Sequence, residues 1–492
     1  MDSPARSGIN GLDDILASGF TRNRLYLIEG APGSGKTTLA LQFLLQGAED
    51  DETSLYVTLS ESDEELRAVA ASHGWSLDKI VVREIMSSES ELNAEDHYTM
   101  FHPAEVELPE TTRTIIADIE RIRPSRVVFD SLSEFRLLAG NPLQYRRQIL
   151  ALKQYLSDKQ CTVLLLDDMT TQSNDLQVQS IAHGVIRLEQ MYPEYGAERR
   201  RLSVLKYRGV AYRGGYHDYR IKRGGLTVYP RLVASEHLAP SADGRLESGN
   251  RELDQLTGGG LERGTSTLLV GAAGTGKSTL AAQFATEAAA RGQRSVIFAF
   301  DEGLSTLLAR CESLGIPLGR ACEDGLVVVR QIDPAMCSPG ELTHEIRMAV
   351  DKGNLALLVI DSLNGYINSM PEERYLIIQL HELLMYLGQA GVATILIGAH
   401  QGLIGANMST PADASYLADA VILMRYFESR GEVRQAISVM KKRGGAHERS
   451  IREFSLSERG ISVGEPLRDF RGVLTGVPVY DPDNERPKAG LS

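Results

Sequence analysis

Residues 30–38 read GAPGSGKTT, and residues 271–279 read GAAGTGKST. Each is a G-x-x-x-x-G-K-[ST] loop with a short apolar run before it and a helix-spaced apolar pattern after it. Glycines at Gly30, Gly33 and Gly35 let the backbone curl, so that several N–H groups point inward at phosphate oxygens. The helix that follows adds partial positive charge at its start. Lys36 can reach the outer phosphates of a triphosphate, and Thr37 can offer a hydroxyl to Mg²⁺, with Ser34 and Thr38 completing the loop. Gly271, Gly274, Thr275, Gly276, Lys277, Ser278 and Thr279 repeat this set. The expected ligand is Mg²⁺·ATP. One such loop could be a glycine turn with a chance lysine; two in matched context argue against that. A loop that grips nucleotide without hydrolysing it is the more serious alternative.

The loops lie 241 residues apart, and other marks keep nearly that spacing. Gly8, Leu12 and Asp13 match Gly249, Leu253 and Asp254. VVFDSL at 127–132 matches LVIDSL at 358–363, and VLKYRG at 204–209 matches VMKKRG at 439–444. The shared order identifies a duplicated domain rather than a short-period solenoid. The expected limits are 1–234 and 248–478 for the two copies, with a polar linker at 235–247 and a short disordered tail at 479–492.

Within each copy, short β-rich runs alternate with helical stretches. LYLIE (25–29), LYVTL (55–59), RVVFD (126–130) and TVLLL (162–166) read as strands, as do STLLV, SVIFAF, LLVID and TILIG in the second copy. Near-continuous apolar strands separated by helices predict an α/β fold, two tandem domains each with a mostly parallel sheet covered on both faces. Leu39, Ala40, Phe43 and Leu44 share one helical face, repeated by Leu280, Ala281, Phe284 and Ala285.

Composition sets the class. The chain has 492 residues, 42% hydrophobic and 24% charged, with net charge −13. These values describe a globular protein and lower the expectation of a nucleic-acid partner, which usually shows as a basic stripe. The cysteines Cys161, Cys311, Cys322 and Cys337 form no C-x-x-C pair, which suits a reducing compartment. Apolar runs such as LALLVI at 355–360 are strand-length, so no membrane span and a cytoplasmic location are expected.

Asp130 and Asp361 each end an apolar strand and can hold a water on Mg²⁺. Hydrolysis also needs a carboxylate to orient or deprotonate the attacking water. Glu61 lies 25 residues after Lys36 and Glu302 lies 25 after Lys277, in TLSES and AFDEG. Their neighbours differ, Ser60 against Asp301. A solvated acidic strand end is the bland alternative for Glu61, Asp301 and Glu302. Lys206 with Arg208, and Lys441 with Arg443, place two cations on one strand face.

Tandem phosphate loops, DSL after each strand-terminal Asp, acidic residues 25 beyond the loop lysine and K-x-R-G near each domain end together resemble the KaiC family of RecA-like ATPases. The stretch IREFSLSERGISVGEPLRDFRGVLTGVPV at 451–479 is also similar to the end of that family's second domain. The resemblance covers nearly the whole chain. It implies a homo-oligomeric double ring, a hexamer, with ATP between subunits and a signalling partner. It also implies that Lys206, Arg208, Lys441 and Arg443 reach phosphates bound by a neighbouring subunit. Three departures qualify it. The acidic doublets are Ser60-Glu61 and Asp301-Glu302 instead of paired glutamates. The family's phosphorylated Ser-Thr pair falls on Ser415-Tyr416, which leaves Ser415 as the candidate phosphoacceptor. The C-terminal tail is short, so recruitment of the family's activator does not carry over.

Weaker signals are His97, Tyr98, Phe101 and His102, read as a loop; the basic run GAERRRL at 196–202, read as facing acids or solvent; and His400-Gln401, placed where RecA-like folds sense the γ-phosphate. A DNA-acting recombinase or helicase relative, and a non-hydrolysing ATP-dependent scaffold, are the rival functions.

Overall fold

The computed structural model describes residues 3–85, 103–139, 142–169, 176–193, 196–237, 244–368, 376–399, 414–473 and 479–480. His97, Tyr98, Phe101, His102, His400 and Gln401, residues 238–243 of the expected linker and most of the tail lie outside them. The chain divides into two compact units, Met1–Arg231 and Leu232–Ser492. Leu232 and Ala234 are buried in a core of the second unit.

The first unit is built on β1 (Leu25–Gly30), β2 (Ser54–Thr58), β3 (Ile80–Glu84), β4 (Arg126–Asp130), β5 (Thr162–Asp167), β6 (Gly184–Met191), β7 (Arg199–Tyr207), β8 (Tyr216–Lys222) and β9 (Gly225–Tyr229). Their order across the sheet is β3-β2-β4-β5-β1-β6-β7-β8-β9. Pairing is parallel from β3 to β6 and antiparallel from β6 to β9. The second unit repeats this order with Ser266–Gly271 in the place of β1 and Glu432–Lys442 in the place of β7. The mostly parallel α/β fold expected from the alternating runs is therefore present twice. The antiparallel extension is the part that apolar runs alone did not signal, since β7 and β8 carry many charged residues.

Alternation along β1 sorts its side chains into two cores. Leu25 and Leu27 enter one, Tyr26 and Ile28 the other. The helix Lys36–Glu49 buries Leu39, Ala40, Phe43 and Leu44 on the second of these, and Lys277–Ala290 buries Leu280, Ala281, Phe284 and Ala285 in the matching core. The other repeated marks also have local reasons. Gly8 and Gly249 both take left-handed backbone, with φ 71° and 75°. Next to them, Asp13 accepts the Ser7 amide at 3.0 Å and Asp254 accepts the Ser248 amide at 2.8 Å. In the basic run, Arg200 pairs with Glu198 and Arg201 with Glu189, each at 2.7 Å, within its own sheet. No helix among the described residues is long and apolar enough to cross a membrane.

His217 on β8 is fully buried. Its Nδ1 accepts the Arg231 amide at 2.8 Å, which leaves Nε2–H to donate to the Arg213 carbonyl at 2.9 Å. Burial pushes this imidazole down to about 4, with the Arg213 and Arg231 charges acting the same way and the Arg213 hydrogen bond opposing. A histidine whose folded value lies below its unfolded one binds its proton first in the unfolded chain. Stability is therefore complete above pH 7 and is lost as pH falls through about 6.5 towards 4. Hydrogen exchange of the Arg231 amide should lose about 1.5 kcal/mol of protection between about pH 7 and 5. His217→Gln should flatten that slope; an unchanged slope in the variant would assign it elsewhere.

Candidate nucleotide sites

The helix Lys36–Glu49 begins after Gly35, whose φ is 97°; its counterpart Gly276 has φ 93°. A Cβ at Gly35 would strike Ile221, and one at Gly276 would strike Phe454, so both loops are packed from beneath as well as strained against substitution. Gly33 and Gly274 have φ 82° and 79°. The Ser34 carbonyl accepts the Tyr219 hydroxyl at 2.6 Å, and Thr275 Oγ1 donates to the Ala272 carbonyl at 2.9 Å. Thr38 and Thr279 are buried in the helices.

In the first unit Lys36 Nζ donates to the Gly30 and Ala31 carbonyls at 2.7 and 3.1 Å. Thr37 Oγ1 donates to Asp130 Oδ2 at 3.2 Å. These two oxygens converge where a Mg²⁺ bound to the loop's phosphates would sit, and one hydroxyl with one carboxylate suits an ion that keeps waters and takes its other ligands from phosphate. When bound, Mg²⁺ would neutralise charge on the β- and γ-oxygens. Tyr56 on β2 adds a bond of 2.5 Å to the same Asp130 oxygen. Burial raises the Asp130 carboxyl, and the Tyr56 and Thr37 hydrogen bonds oppose that rise. Glu61 is half-buried beside it. Burial, then the Asp130 charge, raises its carboxyl, and its Oε2 is buried without a partner among the described residues. Thr58 Oγ1 fixes the Glu61 backbone by accepting its amide at 3.0 Å and donating to its carbonyl at 2.7 Å.

In the second unit Lys277 Nζ donates to the Gly271 and Ala272 carbonyls at 2.9 and 2.7 Å. Burial pushes this ammonium down to about 8, against the pull of Asp361. Asp361 is itself raised by burial and accepts a hydrogen bond from Ser278. Asp301 accepts from Ser362, the residue after Asp361. Glu302 is clamped by Arg310: Nη1 donates to Oε1 at 2.9 Å, and Nη2 lies 2.8 Å from Oε2.

Each phosphate loop, its strand-terminal Asp and its acidic strand end thus converge. Three neighbours were not anticipated. Asp168, just past β5, forms a 2.8 Å ion pair with Lys36 and accepts from Ser133 at 3.0 Å. Burial works to raise its carboxyl, but the Lys36 bond and charge hold it below the usual range. Strand register places Ala399 at this position in the second unit. Tyr56 is replaced there by Ile297, and Arg310 corresponds to Val69 in the first unit. LLLDDM at 164–169 does carry the doubled Asp as a visible signal, whereas nothing local marks Arg310.

The K-x-R cations stand apart from the loop of their own unit. Lys206 Nζ donates to the Gln179 and Ser180 carbonyls at 2.6 and 3.2 Å, and Arg208 Nη2 to Ser180 at 3.0 Å. Lys441 Nζ donates to the Ser415 and Ala418 carbonyls at 2.9 and 2.8 Å, and Arg443 Nη2 to Tyr416 at 2.8 Å. Arg208 follows β7 beside His183, which pairs with Leu25 at the start of β1, while the loop leaves the other end at Gly30. That separation is about 16 Å along the strand alone.

A family model for KaiC ATPases matches residues 5–233 and again 246–468. The chain is 28% identical to the circadian clock protein KaiC3 of Synechocystis sp., over 97% of this chain and 95% of that protein. It is 27% identical to the circadian clock oscillator protein KaiC of Synechococcus elongatus, over 96% and 91%, and 26% identical to that of Parasynechococcus marenigrum, over 98% and 94%. Duplicated loops, duplicated sheets and a family match that itself falls in two segments agree: the chain belongs to the KaiC family of ATPases.

Proposed function

We propose that the protein hydrolyses Mg²⁺·ATP at two sites per chain, each completed by an adjacent copy in a homo-oligomeric double ring. By family resemblance the ring is a hexamer, and its nucleotide state controls contacts with a signalling partner. The observation that carries this reading is the position of Lys206, Arg208, Lys441 and Arg443. They sit at the strand ends opposite the loop of their own unit, away from its phosphates, which supports their serving a nucleotide held by an adjacent copy. A cation there can stabilise charge on the transferring phosphoryl group.

Ser415 lies in the same cluster as Lys441 and Arg443, and is exposed. It is equally remote from Lys277, so autophosphorylation of Ser415 is a transfer from a neighbouring chain. The domain limits 1–234 and 248–478, with a linker between, are part of the same reading.

Complementation tests it. Lys36→Ala and Arg208→Ala each remove one half of a first-unit site. Both are made in a Lys277→Ala background, where ATP turnover reports the first unit alone. Each chain by itself should be inactive, and random one-to-one mixing should restore about a quarter of the sites. Mixing that restores nothing, with sedimentation showing a monomer at saturating ATP, would overturn the interface.

A further inference from the structure

The base of the first sheet holds a cavity of about 290 Å³ that the phosphate loops do not use. Arg24, Lys153, His183 and Arg208 line it, together with Ser157 and Cys161. Among the described residues, none of the cations Arg24, Lys153 and Arg208, nor the adjoining Lys206, pairs with a carboxylate. Each is instead oriented by a backbone carbonyl. Arg24 donates to Asn23 at 3.0 Å, Lys153 to Ile181 at 2.7 Å, and Lys206 and Arg208 to the end of the helix Leu176–Ile181. A lysine carries three donors and an arginine five, so most remain for a ligand. His183 adds a buried Nε2 without a partner among the described residues.

The charges act on one another. Burial, then the Arg208 and Arg24 charges, lowers the Lys153 ammonium; burial, then Arg208 and Lys153, lowers Lys206. Burial, then the same arginines, lowers His183. An anion entering the cavity would relieve this repulsion and meet oriented donors in a partly desolvated space, where charge-assisted hydrogen bonds are strongest.

In the second unit, otherwise a close repeat, the described residues at the equivalent place are different. Register places Thr265 at Arg24, Leu384 at Lys153 and Asp419 at His183. Arg443 pairs there with Asp419 at 3.3 Å, and Lys442 with Glu262 at 3.2 Å, around a cavity that both acids line. The positive base is therefore particular to the first unit and not a consequence of the fold.

We propose that Arg24, Lys153, His183 and Arg208 form a phosphoryl-anion site at the base of the first unit. Two sources present that chemistry: the phosphates of a nucleotide held by an adjacent copy, which rests on the interface reading above, and free phosphate, which does not. The cavity has room for one phosphoryl group and a few waters, at about 30 Å³ per water.

The test has two arms. In a Lys36→Ala/Lys277→Ala chain, where neither loop retains its lysine, inorganic phosphate and pyrophosphate are titrated by calorimetry. In the chain with intact loops, ATP-driven assembly is followed by sedimentation over a range of protein concentrations. Lys153→Met and the exposed-site variant Arg24→Gln are compared with each parent, with circular dichroism melts as the check on folding. Phosphate binding that both variants weaken about tenfold or more supports a free-anion site. No phosphate binding, but assembly that needs about tenfold more protein in both variants, supports the neighbour's nucleotide as the source. If folded variants change neither readout, the site is overturned. If ATP assembles no chain at all, the interface reading fails by itself and the phosphate arm decides the pocket.

Discussion

Glu61→Gln should lower first-unit ATP turnover by about 10²- to 10⁴-fold, the loss expected when a positioned carboxylate no longer takes or orients a proton. The measurement is single-turnover phosphate release in a Lys277→Ala background. The size of the effect follows from where Glu61 sits. Its backbone is held by Thr58, its carboxylate stands beside Asp130, and its buried Oε2 has no donor among the described residues. An attacking water would be that donor. Glutamine keeps the shape and loses the basicity, so nucleotide affinity should change little while the chemical step slows. The matching change in the second unit, Glu302→Gln in a Lys36→Ala background, should cost less than about tenfold, because Arg310 already hydrogen-bonds Glu302 Oε1 and stands in ion-pair contact with Oε2. Arg310→Met should then raise second-unit turnover. Equal losses from Glu61→Gln and Glu302→Gln would show that the Arg310 clamp opens before chemistry and does not govern it.

Asp168→Asn should tighten ATP at the first loop about 30-fold without tightening it at the second. Lys36 is buried and paired with Asp168, so a triphosphate that recruits the ammonium competes with that carboxylate. A hydrogen bond to a charged group contributes about 1.5–3 kcal/mol, which sets the scale of the competition. The exchange is favourable because a triphosphate carries more charge than one carboxylate, yet it still costs the pair. Among the described residues Lys277 has no such competitor, since Ala399 stands at the equivalent position, and its charge is opposed by burial alone. Calorimetric affinities in the Lys277→Ala background decide the question. Weaker binding in Asp168→Asn would assign Asp168 to the bound state, as a holder of metal waters, and would end the competition account.

These asymmetries bear on why one chain carries two loops. The first site has an unclamped glutamate, a tyrosine-braced Asp130 and a lysine held by Asp168. The second has a clamped glutamate and a desolvated lysine. Two sites of one ancestry have been given different electrostatic surroundings, which favours divided labour over two interchangeable motors.

Much of this was written in the linear chain, where the determinants are local. A phosphate loop is one short segment whose glycines, lysine and hydroxyl are adjacent, so GAPGSGKTT and GAAGTGKST identify themselves. Apolar runs and helical spacing yielded the parallel strands and the faces of Lys36–Glu49 and Lys277–Ala290, because burial acts on period and residue type. Repetition at 241 residues disclosed the duplication. What needed the tertiary structure are the contacts whose partners lie far apart in sequence: Asp168 on Lys36, Tyr56 on Asp130, and Arg24, Lys153, His183 and Arg208 around one cavity. The separation of each K-x-R pair from its own loop also belongs here. Single residues from different strands meet only through sheet order and register, and neither is specified by any one segment. Electrostatic interaction depends on distance and burial, so the charges that distinguish the two sites became legible only once the sheets had brought them together.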